Sequence, residues 1–159
     1  MENYQVEVKR KPGRPRTRPL HKQLSEEEYA RRNEAEKKRQ AKNISDAIEM
    51  LGGECAVTGL KQNLEFHHLE PSKLGFRLQG GTNRPTSRKA VLAEAKKCIL
   101  LHAEVHRQIH REIDAELAEI EKTTDLTEGG RKGLIDYLTR TITNRRIRVA
   151  AIQRELRDV

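Results

Sequence analysis

Leu64-Glu65-Phe66-His67-His68-Leu69-Glu70-Pro71 and, further along, Cys98-Ile99-Leu100-Leu101-His102-Ala103-Glu104-Val105-His106-Arg107-Gln108-Ile109-His110 decide how this chain is read. Five of its six histidines fall in these two stretches, a doublet and then a ladder. Imidazole is the commonest protein ligand for transition metals and the side chain best placed to move protons near neutral pH. Histidines four apart share a helix face, because each such step turns about 40° past a full circle. A short apolar segment and a following helix can therefore present several imidazoles to one ion. Adjacent strand residues point to opposite faces, so His67 and His68 cannot easily ligate one metal in the same way. One of them is left to hold the ion while its neighbour faces a water molecule. His106 and His110 complete a three-imidazole set with open positions.

Around these stretches the chain is polar. Of 159 residues 35% are apolar, 35% charged and 3% aromatic, so the core is small and much of the surface is solvated helix or arm. The net charge is +8, and it is blocked rather than scattered. Residues 9–42 hold 13 Lys/Arg against 5 Asp/Glu, and residues 131–157 hold 8 against 2. The centre, 43–130, holds 11 against 14 and is slightly acidic. Two basic flanks around a histidine-bearing centre point to a polyanionic partner gripped in a salt-dependent manner. Scarce aromatics argue against stacking on single-stranded RNA. Two cysteines make no disulfide framework, no secretory leader is visible, and no apolar run exceeds four residues. The expectation is a soluble intracellular protein with no membrane and no small-molecule substrate.

Along the chain, residues 1–23 read as a flexible basic arm and 24–53 as a charged helix. Ser25-Glu26-Glu27-Glu28 forms its capping box, and Gly52-Gly53 ends it. Residues 54–122 read as a core. Within it Cys55–Gly59 is a compact turn, Leu64–Leu69 a strand and Leu74–Leu78 a second short strand. A helix over Ala90–Lys97 and a buried connection at Cys98–Leu101 precede the long helix from His102 to about Lys122. Thr123–Gly130 is a hinge, and residues 123–159 form a basic helical extension. Its arginines, Arg140, Arg145, Arg146, Arg148, Arg154 and Arg157, lie outside, with packing as its first role and phosphate contact incidental. The fold class expected is α+β, mainly helical, with flanking N- and C-terminal helices around a small core.

The run Cys55-Ala-Val-Thr-Gly59, the segment Leu64 to Lys73, and Lys97 to His110 together resemble an HNH endonuclease of the ββα-metal type, in the version common in phage genomes. The likeness covers about residues 54–112. It implies a small ββα-metal core, His67 as metal ligand with His106 and His110, and His68 as general base toward the attacking water. It further implies metal-dependent hydrolysis of DNA phosphodiesters, by nicking or double-strand cleavage, leaving a 5′-phosphate and a 3′-hydroxyl. It also suggests a phage-encoded, homing-type enzyme acting in the host cytoplasm. Duplex DNA is then the partner and one divalent metal the cofactor. Three nitrogen ligands suit Ni, Co, Zn or Mn, with Mg favoured only by abundance. Candidate phosphate clamps are Lys73, Lys97, Arg107 and Arg111.

Two departures from that family pattern stand out. Many members hold a structural zinc in paired Cys-x-x-Cys motifs, whereas here Thr58 and Val105 stand where cysteines would be. Cys55 and His102 are then a vestigial zinc knuckle, His102 a capping residue, and a closed structural zinc is not expected. The middle Asn of the family name has no counterpart, Lys97 falling near its place. A DNA-binding protein that keeps the frame but is catalytically impaired is therefore the alternative. Finally, Gly13-Arg14-Pro15-Arg16, with Lys9, Arg10 and Lys11 before it and Arg18 after, resembles an AT-hook. An extended Arg-Pro backbone is slim enough for the minor groove of A·T-rich DNA.

Overall fold

The computed structural model describes residues 25–79 and 87–157. The AT-hook-like residues Lys9, Arg10, Lys11, Gly13, Arg14, Pro15, Arg16 and Arg18 lie outside the described residues. By compactness the chain divides into Met1–Glu34 and Ala35–Val159. The second unit takes in the expected core, most of the charged helix and the expected C-terminal extension together.

Helix α1 spans Glu26–Met50. In the first unit its start is the expected capping box. Ser25 Oγ accepts from the Glu28 N–H at 3.2 Å and the Ser25 N–H donates to Glu28 Oε2 at 3.0 Å, satisfying donors that a helix start leaves open. The helix ends where Gly52 and Gly53 take φ of 93° and 69°. The Gly53 N–H closes back on the Ile48 carbonyl at 3.0 Å, a turn that a left-handed backbone permits.

In the second unit a two-stranded antiparallel ribbon lies at the centre. Strand β1 is Leu64–His68 and β2 is Cys98–His102, with Phe66 opposite Leu100, His67 opposite Ile99 and His68 opposite Cys98. The expected buried connection at Cys98–Leu101 is thus a strand. Its unbroken apolar run suits a strand covered on both faces, where the alternation that would mark a half-buried one disappears. The expected strand at Leu74–Leu78 does not form. The chain there makes a 3₁₀ turn at Pro71–Lys73 and then bends, without a ladder partner.

Period-two alternation divides the ribbon's side chains between two cores. Phe66, Cys98 and Leu100 pack with Ala47 of α1, with Leu78, and with Val91 and Ala95 of helix α2 (Arg88–Ala95). Leu101 packs on the other face with Cys55, with Ile109, Ile113 and Leu117 of helix α3 (Ala103–Glu121), and with Leu138 and Ile142 of helix α4 (Glu128–Glu155). Thr127 caps α4 by accepting from the Gly130 N–H at 3.1 Å, so the expected hinge is shorter than eight residues, and Thr141–Asn144 does not interrupt the helix. With Ile142 wholly buried, α4 is a wall of the core rather than an appendage. The α+β, mainly helical class is as expected. No helix of the described residues is long and apolar enough to cross a membrane.

Candidate metal centre

The register decides where each imidazole goes. His67 shares its face with Ile99 and Leu101, the side covered by α3 and α4. Its ring lies 5.0 Å from that of His106 and 5.3 Å from that of His110, centroid to centroid, and those two lie 4.7 Å apart. One nitrogen from each of the three lies within 4.8 Å of the others, so among the described residues this cluster could hold a metal ion. The three residues assigned as ligands from the sequence are brought together across one strand and one helix.

Donor chemistry fits as well. A ligand nitrogen must be unprotonated. Burial, then the like charges of His106, His110 and His68, push the His67 imidazole down to about 3. Burial, with His106 beside it, also lowers His110, against the opposing pull of Asp114 and Glu65. His67 is therefore a neutral lone-pair donor throughout the physiological range.

Two residues not singled out from the sequence orient these donors. The buried Thr143 hydroxyl of α4 lies 3.1 Å from His67 Nε2. Glu65 Oε2 lies 2.6 Å from His106 Nδ1, and the free His106 Nε2 stands 3.0 Å from His110 Nε2. A carboxylate behind a ligating imidazole fixes its ring orientation and raises its basicity. Alternation along β1 puts Glu65 on the same face as His67, so that partner was legible. Thr143, 76 residues from its histidine, carries no sequence signal.

Partners of this kind typically change metal affinity about 10- to 100-fold. We predict a loss of that size for Thr143→Val, which keeps the shape and removes the hydroxyl. Thr143→Ser should retain most of the affinity. Calorimetric titration with Co²⁺ checks both, and equal affinity for the Val variant would remove Thr143 from the site.

His68 turns to the opposite face, as alternation requires. Its Nε2 lies 3.1 Å from Glu94 Oε1 of α2. Burial alone would raise the Glu94 carboxyl, but the Lys97 ammonium, the Gly75 N–H and His68 outweigh it, and the net shift is downward. Glu94 is thus a carboxylate, so His68 Nε2 carries a hydrogen and donates it to Glu94. Glu94 also organises the loop after the doublet. It accepts from the Gly75 N–H at 2.8 Å and from Lys97 Nζ at 2.7 Å, while Lys97 Nζ also donates to the Lys73 carbonyl at 3.1 Å. A Cβ at Gly75 would meet Glu94 Oε2 at 2.8 Å, so a larger residue there would push this carboxylate aside. On the far side Asp136 of α4 accepts from the Ser72 N–H at 3.0 Å and from its hydroxyl.

All four imidazoles open onto one cleft of about 520 Å³, lined also by Glu65, Phe66, Pro71, Leu74, Arg77, Leu78 and Gln79. The four expected phosphate clamps do not line it. Lys73 pairs with Glu70, Lys97 with Glu94, and Arg107 and Arg111 both with Glu104. Most of these pairs are exposed and weak, so the cations can exchange partners, and with Glu104 shared by two arginines and Glu70 shared with Arg140 their charge is only partly offset where they stand.

The vestigial knuckle has other uses for its two residues. His102 caps α3, its Nδ1 accepting from the Glu104 N–H at 3.3 Å, as expected. Cys55 is buried and its sulfur accepts from the Thr58 N–H at 3.4 Å.

A pH prediction follows from His67. In metal-free protein the folded-state value near 3 lies below the ordinary 6.5. The unfolded chain therefore takes up the proton first. His67's contribution to stability is full above pH 6.5 and is lost as pH falls from 6.5 toward 3, by up to about 1.4 kcal/mol per pH unit. Urea unfolding in EDTA across that window should show a slope that His67→Gln reduces. An unchanged slope in the variant would contradict it.

Compared with protein-family models, with curated proteins and with solved structures, the chain finds no match in any of the three.

Proposed function

We propose that the protein is a metal-dependent endonuclease of the HNH type that hydrolyses phosphodiester bonds in duplex DNA. The observation that carries this reading is the convergence of His67, His106 and His110 within one cleft that His68 enters from the opposite strand face. Blocked basic charge in the flanks supports a polyanionic substrate.

In this reading His67, His106 and His110 hold one divalent ion. Bound there, the ion supplies Lewis-acid stabilisation of charge on a phosphoryl oxygen and on the leaving 3′-oxygen. The protein's own groups do the rest. His68 Nδ1 accepts a proton from the attacking water, the step a positioned base can accelerate. The Glu94 carboxylate holds Nε2–H, keeps the ring in that tautomer, and steadies the imidazolium as it forms. Thr143 and Glu65 fix two donor rings in direction.

Glu94 and Lys97 also bear on the missing Asn. Together they tie α2 to the loop that follows the doublet, the bracing work that the family gives to that residue. This favours the catalytic reading over that of an impaired DNA-binding frame.

Incubation with supercoiled plasmid across Mg²⁺, Mn²⁺, Co²⁺, Ni²⁺, Zn²⁺ and EDTA tests the proposal. Nicked or linear product is expected with at least one metal and none with EDTA. Intact plasmid with every metal, from protein that binds DNA, would leave only a DNA-binding role.

A further inference from the structure

We infer that Arg77 is the anion-binding side chain of the histidine cleft, placed to take a non-bridging oxygen pair of a phosphodiester. The inference rests on the nuclease reading for its substrate, though not for the binding of phosphate itself.

Arg77 lines the cleft together with His67, His68, His106 and His110. It is the one cationic residue other than the imidazoles among those lining residues. It is exposed, and among the described residues no carboxylate pairs with it. The contrast with the nearby cations is informative. Lys73, Lys97, Arg107 and Arg111 each stand against a carboxylate within 3.3 Å, and none lines the cleft. A phosphate approaching the imidazoles therefore meets one uncompensated guanidinium.

Charge balance in the cleft agrees. Glu65 is the acidic residue of the lining and is bonded to His106. With a divalent ion on the imidazoles, Glu65 and Arg77 cancel, and the ion's two positive charges remain. That matches a phosphodiester, which carries one negative charge and gains a second when hydroxide adds. A planar guanidinium also presents two parallel N–H groups that fit two phosphate oxygens. Phe66, Pro71, Leu74 and Leu78 line the same cleft.

Two tethers explain how Arg77 comes to lie there. Asp136 anchors Ser72, and Glu94 anchors Gly75. Those two ties fix the bend that runs from Pro71 to Gln79, and Leu78 is buried beneath it. Arg77 therefore rides on a held segment rather than a loose one.

The test is calorimetric titration of the full chain with inorganic phosphate, with and without CoCl₂. The wild type is compared with Arg77→Gln, Arg77→Lys and Lys61→Gln, an exposed residue outside the cleft. Phosphate binding is expected for the wild type, weakened about 10- to 100-fold in Arg77→Gln. Arg77→Lys, which keeps the charge and loses the fork, should fall between them, and Lys61→Gln should match the wild type. Co²⁺ affinity and melting temperature should be the same in all four. Equal phosphate affinity in wild type and Arg77→Gln, or no phosphate binding by the wild type in either condition, overturns the inference.

Plasmid cleavage by the same preparations separates the two ideas. Phosphate binding through Arg77 with plasmid left intact would keep the anion site and sink the nuclease. Cleavage at equal rates by wild type and Arg77→Gln would do the reverse.

Discussion

Replacing His68 with alanine is expected to lower plasmid cleavage by about 100- to 10,000-fold, the range a positioned general base supplies, while metal binding and DNA binding persist. The side chain is 13% exposed and its ring contacts Glu94, outside the three-imidazole cluster. Its loss therefore leaves the donors in place. Glu94→Gln offers an internal comparison. A neutral amide can no longer stabilise an imidazolium, yet it occupies nearly the same volume. An intermediate rate is expected there, with DNA affinity unchanged. Single-turnover cleavage at saturating enzyme reads the chemical step without confusion from binding. His68→Ala protein that cuts at the wild-type rate would remove His68 as the base.

The second large effect concerns the ion. His110→Ala removes one of three donors, so the loss of Co²⁺ or Ni²⁺ affinity should exceed the roughly 10- to 100-fold expected for an orienting partner. His110 is on an exposed edge of α3, so the fold has little to lose. Thermal unfolding gives an independent reading. A metal at about 100 times its dissociation constant stabilises the folded state by about 2.7 kcal/mol. That increment should vanish in His110→Ala at the same metal concentration, and cleavage should disappear with it. Unchanged metal affinity would mean that the cluster is a packing of neutral rings and no coordination site.

Much of this was visible in the sequence. The capping box at Ser25, the glycine stop after α1 and the apolar seam of α3 are local patterns, set by helix termini and by the helical period. The doublet's division between two faces is also local, since any strand imposes it. What remained hidden required partners distant in the chain. Cys98–His102 has no alternation to declare it a strand, because both its faces are covered. Leu74, Phe76 and Leu78 alternate as a strand would, yet no neighbour offers a ladder, and the segment bends to line the cleft instead. Lys73, Lys97, Arg107 and Arg111 are plausible clamps by position, but each stands against Glu70, Glu94 or Glu104 and none lines the cleft.

The sequence by itself determined which residue types carry the chemistry and which of them share a helix or strand face, because periodicity follows from backbone geometry alone. Only the tertiary structure decided that α4 backs the segments that carry the site, with Thr143 behind His67 and Asp136 behind Ser72. It alone put Glu94 behind His68 and Arg77 in the lining of the cleft. These are pairings between segments as much as 76 residues apart. They arise from how two apolar cores stack on one ribbon, and no short stretch of chain encodes that.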